Sequence, residues 1–283
     1  MTARLLQCSI DDYHRDPCAV PSLSSSIAKT LIQKSPAHAW LEHPRMGNQR
    51  KPPSEDMDEG TLIHKLLLGE GATIQIIAAD NFRTKVAQDA RDAATARGAV
   101  PVLARKYDAA QIAVAKIREN IAACGINLDG ANEVAIEWQE DGVLGDPVTC
   151  RCRLDHAWID DGRIIDIKKC ESAHPKDAAR AVVNYAYALQ AVAYTRALEA
   201  LKPEFQGRAK FAFLFVEIEP PYAVLPAWLS GTFVELGTRQ WTRAVRTWER
   251  CLAANDWPGY SREAIPLIAP PWAFNDEEAA DGI

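Results

Sequence analysis

The sequence predicts an α/β fold, a sheet carrying helices on its faces. Three observations predict it. Residues 132–139 (NEVAIEWQ) alternate strictly, with Val134, Ile136 and Trp138 on one side and Glu133, Ala135 and Glu137 on the other. Residues 151–170 (RCRLDHAWIDDGRIIDIKKC) read as two apolar-alternating strands joined at Asp160-Asp161-Gly162, and Asp-Gly between such runs marks a hairpin. The whole chain runs helices, strand, hairpin, helix, strand, strand, helix.

Taken in order, residues 1–20 look irregular. Ser24 to Ser26 offer N-caps for a helix running to about Gln33, and Pro36 suits the first turn of a second helix ending before Pro44. Residues 45–56 are polar and Pro-rich, a mobile surface loop. Residues 59–68 return to helical spacing, with Leu62, Ile63, Leu66 and Leu67 as the apolar stripe and His64 among them. A lone His on such a helix is ordinarily a core residue; carboxylates presented by another element would make it a ligand candidate.

Residues 73–78 suit a short strand, and 84–97 and 104–123 two Ala-rich charged helices, a helical insertion or cap. Their basic residues (Arg83, Lys85, Arg91, Arg97, Arg105, Lys106, Lys116, Arg118) fit either a DNA channel or a solvated helix face. After the hairpin, 175–201 reads as one long helix, with Tyr187, Gln190 and Tyr194 at i, i+3 and i+7 on one face. Strands at 210–217 and 222–228 pair antiparallel across Glu219-Pro220-Pro221. Residues 231–254 form an amphipathic helix bearing Trp241 and Trp248, ended by WPGY at 257–260. The acidic tail over 270–283 is expected to be disordered.

Composition narrows the function classes. Hydrophobic residues make up 48% and charged residues 25%, ordinary for a globular protein, and no run approaches a membrane span. No signal-peptide pattern opens the chain, and seven scattered cysteines, an odd number without paired Cys-x-x-Cys spacing, fit reduced thiols in the cytoplasm. A net charge of −6 argues against broad coating of nucleic acid, but a local basic groove is compatible with it.

The hairpin carries the chemistry. With Asp161-Gly162 as a two-residue turn, Asp160 pairs with Arg163, Asp155 lies opposite Lys168, and Asp155, Asp166 and Lys168 share a face. Such a face is either an exposed patch where a lysine neutralises two aspartates or a divalent-metal site, since hard cations take carboxylate oxygens and engage phosphate. The strand at 132–139 would add a third carboxylate, Glu133 or Glu137, and alternation does not choose between them.

The combination of GTLIH at 60–64, a Glu-bearing strand, RLD at 153–155, DIK at 166–168 and QAVAY at 190–194 resembles the PD-(D/E)xK nuclease superfamily, and more closely its RecE-like phage and prophage exonucleases, akin in chemistry to lambda exonuclease. SSSIAKTLIQKSPAH, EIEPPYAV and WPGY extend the resemblance from about residue 13 to 260. It implies a restriction-endonuclease-like core with a central mixed sheet flanked by helices. It also implies a single nuclease domain over 1–283: N-terminal helices and loop at 1–58, a helical insertion at 84–123 and a catalytic core at 130–256. His64, Asp155, Asp166 and the Ile167 backbone carbonyl would be the metal ligands. Glu133, preferred by the resemblance over Glu137, would be the strand carboxylate, Lys168 the amine that activates water or stabilises the phosphate, and Gln190 and Tyr194 its support. The family usually continues Asp-x-Lys with Thr-Thr; here Lys169 and Cys170 follow, and Lys169 should point away from the carboxylates.

The implied activity is Mg²⁺-dependent, with Mn²⁺ as alternative. It is 5′-to-3′ exonuclease digestion of linear double-stranded DNA, leaving 3′ overhangs for a RecT-like single-strand annealing partner, by a ring-shaped homo-oligomer (trimer or tetramer). No iron–sulfur cluster is expected, because only Cys251 follows the catalytic helix. The rivals are a RecB- or Cas4-like nuclease acting on single strands or as an endonuclease, and a non-catalytic DNA-end-binding protein of the same fold.

Overall fold

A seven-stranded mixed sheet runs through the computed structural model, which describes residues 2–49, 55–69, 73–261 and 263–270. Its strands are β1 (Ala3–Leu5), β2 (Leu23–Ser24), β5 (Ala131–Glu140), β6 (Val148–Trp158), β7 (Arg163–Cys170), β8 (Lys210–Glu217) and β9 (Val224–Ala227). They lie in the order β1-β5-β6-β7-β8-β9, with β2 also paired to β6. The β7–β8 and β2–β6 pairs are parallel and the rest antiparallel. The crossover between β7 and β8 is made by α7 (Pro175–Asn184) and α8 (Tyr187–Leu201).

The remaining helices are α1 (Ile10–His14), α2 (Ser25–Gln33), α3 (Pro36–Glu42), α4 (Glu55–Leu68), α5 (Lys85–Ala96), α6 (Ala104–Ala123) and α9 (Gly231–Ala254). Ser24 caps α2 through the Ile27 N–H, within the Ser24–Ser26 range the sequence offers, and Ser35 caps α3 through the His38 N–H just before Pro36 at its first turn. The largest core packs α8 and α9 on one another and on β5 and β6. Trp138 and Trp241 stack there, and both indole N–H groups donate to one oxygen of buried Glu140 (3.0 Å each). Arg196 neutralises that carboxylate from α8 at 2.7 Å, so this buried acid is fully partnered. A second core joins α4 and α6 to Ile165, Leu214 and Val216.

Five expectations need correction. The first 20 residues are not wholly irregular, since β1 pairs with β5 and Ser9 caps α1. Helix α4 begins at Glu55, four residues before the expected start, inside the stretch read as loop; residues 50–54 of that loop lie outside the described residues. The link between the helices expected at 84–97 and 104–123, punctuated by Gly98 and Pro101, is not plain loop: it holds β4 (Val100–Leu103), which pairs in parallel with β3 (Ile74–Ile77). The helix at 175–201 breaks at Tyr185-Ala186, because Ala186 takes a left-handed backbone (φ 51°). The hairpin link is longer than two residues: a 3₁₀ turn over Ile159–Asp161 leads to Gly162, also left-handed (φ 67°). A Cβ at Gly162 would meet the Phe205 ring at 2.6 Å, a second reason for glycine there. Trp158, not Asp160, therefore pairs with Arg163. This slip is even, so the face assignments survive it. Of the tail expected to be disordered, 270–283, residues 271–283 lie outside the described residues. Among the described residues no helix is long and apolar enough to cross a membrane.

Candidate active site

The site forms where the strand ladders stop. The β5–β6 pairing skips Glu133 and Asp155, between Asn132–His156 and Val134–Leu154, and the β6–β7 ladder ends at His156–Ile165. Beyond that point Asp155 Oδ2 accepts the Ile167 N–H (2.8 Å), so a carboxylate fills the fork between the strands. Glu133 takes a left-handed backbone (φ 54°), uncommon for a side chain of this size and strained by roughly 1–3 kcal/mol. Arg153 grips its Oε2, and Oε1 is left facing His64.

Helix α4 brings His64 to this fork. Its last carbonyls are held by Arg118, to Leu66 (2.7 Å) and Leu67 (3.0 Å), and by Asn132, to Leu68 (2.8 Å). Asn132 is itself oriented by buried His156, which accepts the Gly130 N–H on Nε2 and donates from Nδ1 to the Asn132 side chain. Burial holds the His156 pKa down, in keeping with that neutral tautomer. Thus docked, His64 places Nδ1 3.1 Å from Glu133 Oε1 and Nε2 3.4 Å from Asp155 Oδ2.

The second half of the site lies on β7 and α8. Asp166, 1% exposed, accepts from Gln190 Nε2 on Oδ2 (2.6 Å) and faces Lys168 Nζ with Oδ1 (2.6 Å). Lys168 also donates to Gln190 Oε1 (3.0 Å), so one amide fixes both partners. The ring of Tyr187, centred 4.5 Å from Lys168 Nζ, completes the amine's surroundings. Tyr194 is buried between this cluster and Phe211; burial, then the charges of Asp166 and other neighbours, push its hydroxyl well above its usual pKa.

Electrostatics distinguish the two halves. Burial and then the neighbouring Asp155 charge push the Asp166 carboxyl up to about 7, against the pull of Lys168. At Asp155 burial acts in the same upward direction, but the His64 contact, the Lys168 charge and the Ile167 N–H outweigh it and hold the carboxyl below its usual range. His64 and Lys168 both lie above their ordinary values: burial favours their neutral forms, and the facing carboxylates more than reverse it. The space between Glu133 and Asp155 therefore favours positive charge.

That favours a metal as well as a proton. His64, Glu133 and Asp155 offer ligand atoms all within 4.8 Å of one another, an imidazole and two carboxylates suited to a divalent cation. An ion there would displace the His64 proton. Asp166, by contrast, has its oxygens engaged by Gln190 and Lys168 and stands outside that trio. Ile167 turns its N–H to Asp155, and in an extended strand its carbonyl lies on the same side. Glu137 is removed from the site, paired with Arg4 at 2.8 Å.

A cleft of about 910 Å³ opens onto Glu133, Asp155 and Gln190. Its cations are Arg15, Lys29, Lys34, Arg151 and Arg153, none of them among the eight basic residues of the helical insertion. Several of those eight pair with neighbouring acids, as Lys85 does with Asp89 and Lys116 with Glu119, and Arg118 caps α4. Sequence reasoning missed Arg153, although it sits in the RLD motif: an arginine two positions from a carboxylate shares its strand face. Nor did it single out two further cleft-lining residues, Lys29, which lies in the SSSIAKTLIQKSPAH stretch, and Tyr185.

A family profile described as a PDDEXK-like domain of unknown function matches residues 24–267. In structure the chain is similar to a "putative exonuclease" from Eubacterium rectale, with a TM-score of 0.62 at 11% identity, covering 97% of this chain and 99% of that one. No curated protein matches the sequence.

Proposed function

The chain belongs to the PDDEXK-like family, and on that premise we propose that it is a Mg²⁺-dependent exonuclease that degrades linear double-stranded DNA. The observation that carries the reading is the convergence of His64, Glu133 and Asp155 beside an Asp166–Gln190–Lys168 relay, at a cleft rich in arginine and lysine. A catalytic centre of this kind has hard oxygen donors next to a buried, protonated amine.

In this mechanism His64, Glu133 and Asp155 would hold the cation, with the Ile167 carbonyl as a further donor; Asp166 could join them only by giving up Gln190 and Lys168. Bound Mg²⁺ (or Mn²⁺) supplies Lewis acidity to the phosphodiester. Lys168 offsets the charge that builds on the phosphoryl oxygens and orients the attacking water. Gln190 fixes the amine against Asp166, and Tyr194 walls the pair from the core. Lys29 and the exposed Arg15, which line the cleft, attract the DNA backbone despite the net charge of −6, whereas Arg151 and Arg153 are neutralised by Asp16 and Glu133.

The finer reading is that of the RecE-like resemblance. The enzyme digests the 5′-ended strand, leaves a 3′ overhang for a RecT-like annealing protein, and works as a homo-oligomeric ring in the cytoplasm of a bacterial or phage-infected cell. The test uses linear duplex labelled at the 5′ or the 3′ end, and covalently closed circles, with Mg²⁺ or EDTA. Loss of linear DNA alone, with early release of 5′ label, is expected. Nicked circles would favour the RecB- or Cas4-like endonuclease, and binding without cleavage the end-binding protein.

A further inference from the structure

Between the Lys168 cluster and the mouth of the cleft, two neighbouring aromatic rings lie between two amines. Lys29 Nζ stands 5.3 Å from the centre of the Tyr185 ring, Tyr185 lies 5.5 Å from Tyr187, and Tyr187 carries Lys168 on its own ring at 4.5 Å. Tyr187 is backed in turn by Phe213 at 5.4 Å. Tyr185 is the outermost ring of this series and is 52% exposed.

Its position is imposed by the backbone. The left-handed Ala186 ends α7 and restarts α8 in a new direction, so Tyr185 is left at the break, beside the cleft. Helix α2 is pinned to the same break by Gln33, whose Nε2 donates to the Asn184 carbonyl at 2.8 Å. Lys29, on α2, is thereby set over the exposed ring.

Lys29 makes no ion pair among the described residues: the Glu42 charge acts on it only from beyond ion-pair distance, and that carboxylate is bonded to Lys34. Partial burial and the nearby charges of Lys168 and Lys34 press its pKa down, the condition of a cation that gains by meeting an anion. Neighbouring Lys34 is neutralised by Glu42 at 2.8 Å. An exposed ring next to an amine that makes no ion pair suits one chemical class above others, a nucleotide, whose base offers a π-face and whose phosphate offers the charge.

We propose that Tyr185 and Lys29 form a subsite for one unpaired nucleotide next to the scissile phosphodiester, the base stacked on Tyr185 and its phosphate held by Lys29. The subsite rests on the nuclease reading and adds to it the state of the strand. A paired base inside a duplex has both faces covered, so the strand reaching Lys168 is single-stranded at this point.

The test is binding of fluorescein-labelled single-stranded DNA by the full chain in EDTA, followed by anisotropy, which separates binding from cleavage. Tyr185→Ala is expected to weaken binding about tenfold and Tyr185→Phe to leave it unchanged, because stacking needs the ring alone. Placing an abasic site at successive positions should reveal one position at which wild type falls to the Tyr185→Ala level. Lys29→Gln should lower the slope of log affinity against log salt by about 0.7, one phosphate contact on a single strand. Wild-type binding in Tyr185→Ala, or equal losses in the Ala and Phe variants, overturns the subsite while the nuclease reading stands. A wild-type protein that neither binds nor cleaves DNA overturns both.

Discussion

Glu133 and Asp155 lie opposite one another at the position where the pairing of β5 with β6 lapses, flanked on both sides by paired residues. Strand backbone that would otherwise be satisfied by its neighbour is given over to presenting two carboxylates to His64. Glu133 reaches its place through a left-handed backbone, and Arg153 keeps it there.

The relay from Gln190 to Lys168 and Asp166 can be separated from the fold. Lys168→Met should lower cleavage by roughly 10²–10³-fold, the size of losing a charge that stabilises the transition state. Gln190→Leu should cost about 10–100-fold through misplacement of the amine and Asp166. Both variants should keep the wild-type melting temperature within a few degrees and bind DNA in EDTA. Wild-type turnover by Gln190→Leu would remove the relay from the account.

Metal binding should register as stabilisation. An ion that binds only the folded state at a hundred times its Kd adds about 2.7 kcal/mol. Thermal melts with and without Mg²⁺ or Mn²⁺ should show an upward shift for wild type and for Lys168→Met, and none for Asp155→Asn or Glu133→Gln. Arg153→Gln frees Glu133 from its anchor, and its midpoint in a metal titration should rise about tenfold. Equal shifts in all five proteins would place the ion elsewhere.

Much of this site was legible because its chemistry lies on short strands. Period-two alternation put Asp166 and Lys168 on one face whatever the turn, and an even slip of the hairpin left that intact. Gln190 and Tyr194 were legible from helical spacing, although the helix is shorter than it looked, because both follow the break at Ala186. What the pattern could not give was non-local. Alternation left Glu133 and Glu137 equivalent, and it is Arg4 on β1 and His64 on α4 that tell them apart. Arg153, Lys29 and Tyr185 acquire their places from partners more than fifteen residues away, or from a left-handed residue that is an alanine and not the glycine that would announce a turn.

A buried ion cluster under the cleft sets the acid limit of the fold. Asp16 is fully enclosed, accepts from the Ser22 N–H (2.9 Å) and hydroxyl (2.7 Å), and meets Arg151 at 3.1 Å and His43 at 3.4 Å. Burial alone would raise its pKa, but the contacts with His43, Arg151 and Ser22 bring it down to about 2. A carboxylate depressed in the folded state stabilises it above the unfolded pKa of about 3.9, and that contribution, about 2 kcal/mol, is lost as pH falls toward 2. Asp16→Asn should therefore be less stable than wild type at pH 6, with the gap closing between pH 4 and 2 in urea titrations. A gap that stays constant with pH would show that the charge of Asp16 is not what stabilises the fold.

The most direct measurement of the central claim is release of nucleotides from linear duplex DNA by wild type and by Asp155→Asn, each with Mg²⁺ and with EDTA. The account predicts release only by wild type and only with Mg²⁺. Release that persists in EDTA, or that survives in Asp155→Asn at the wild-type rate, would contradict it.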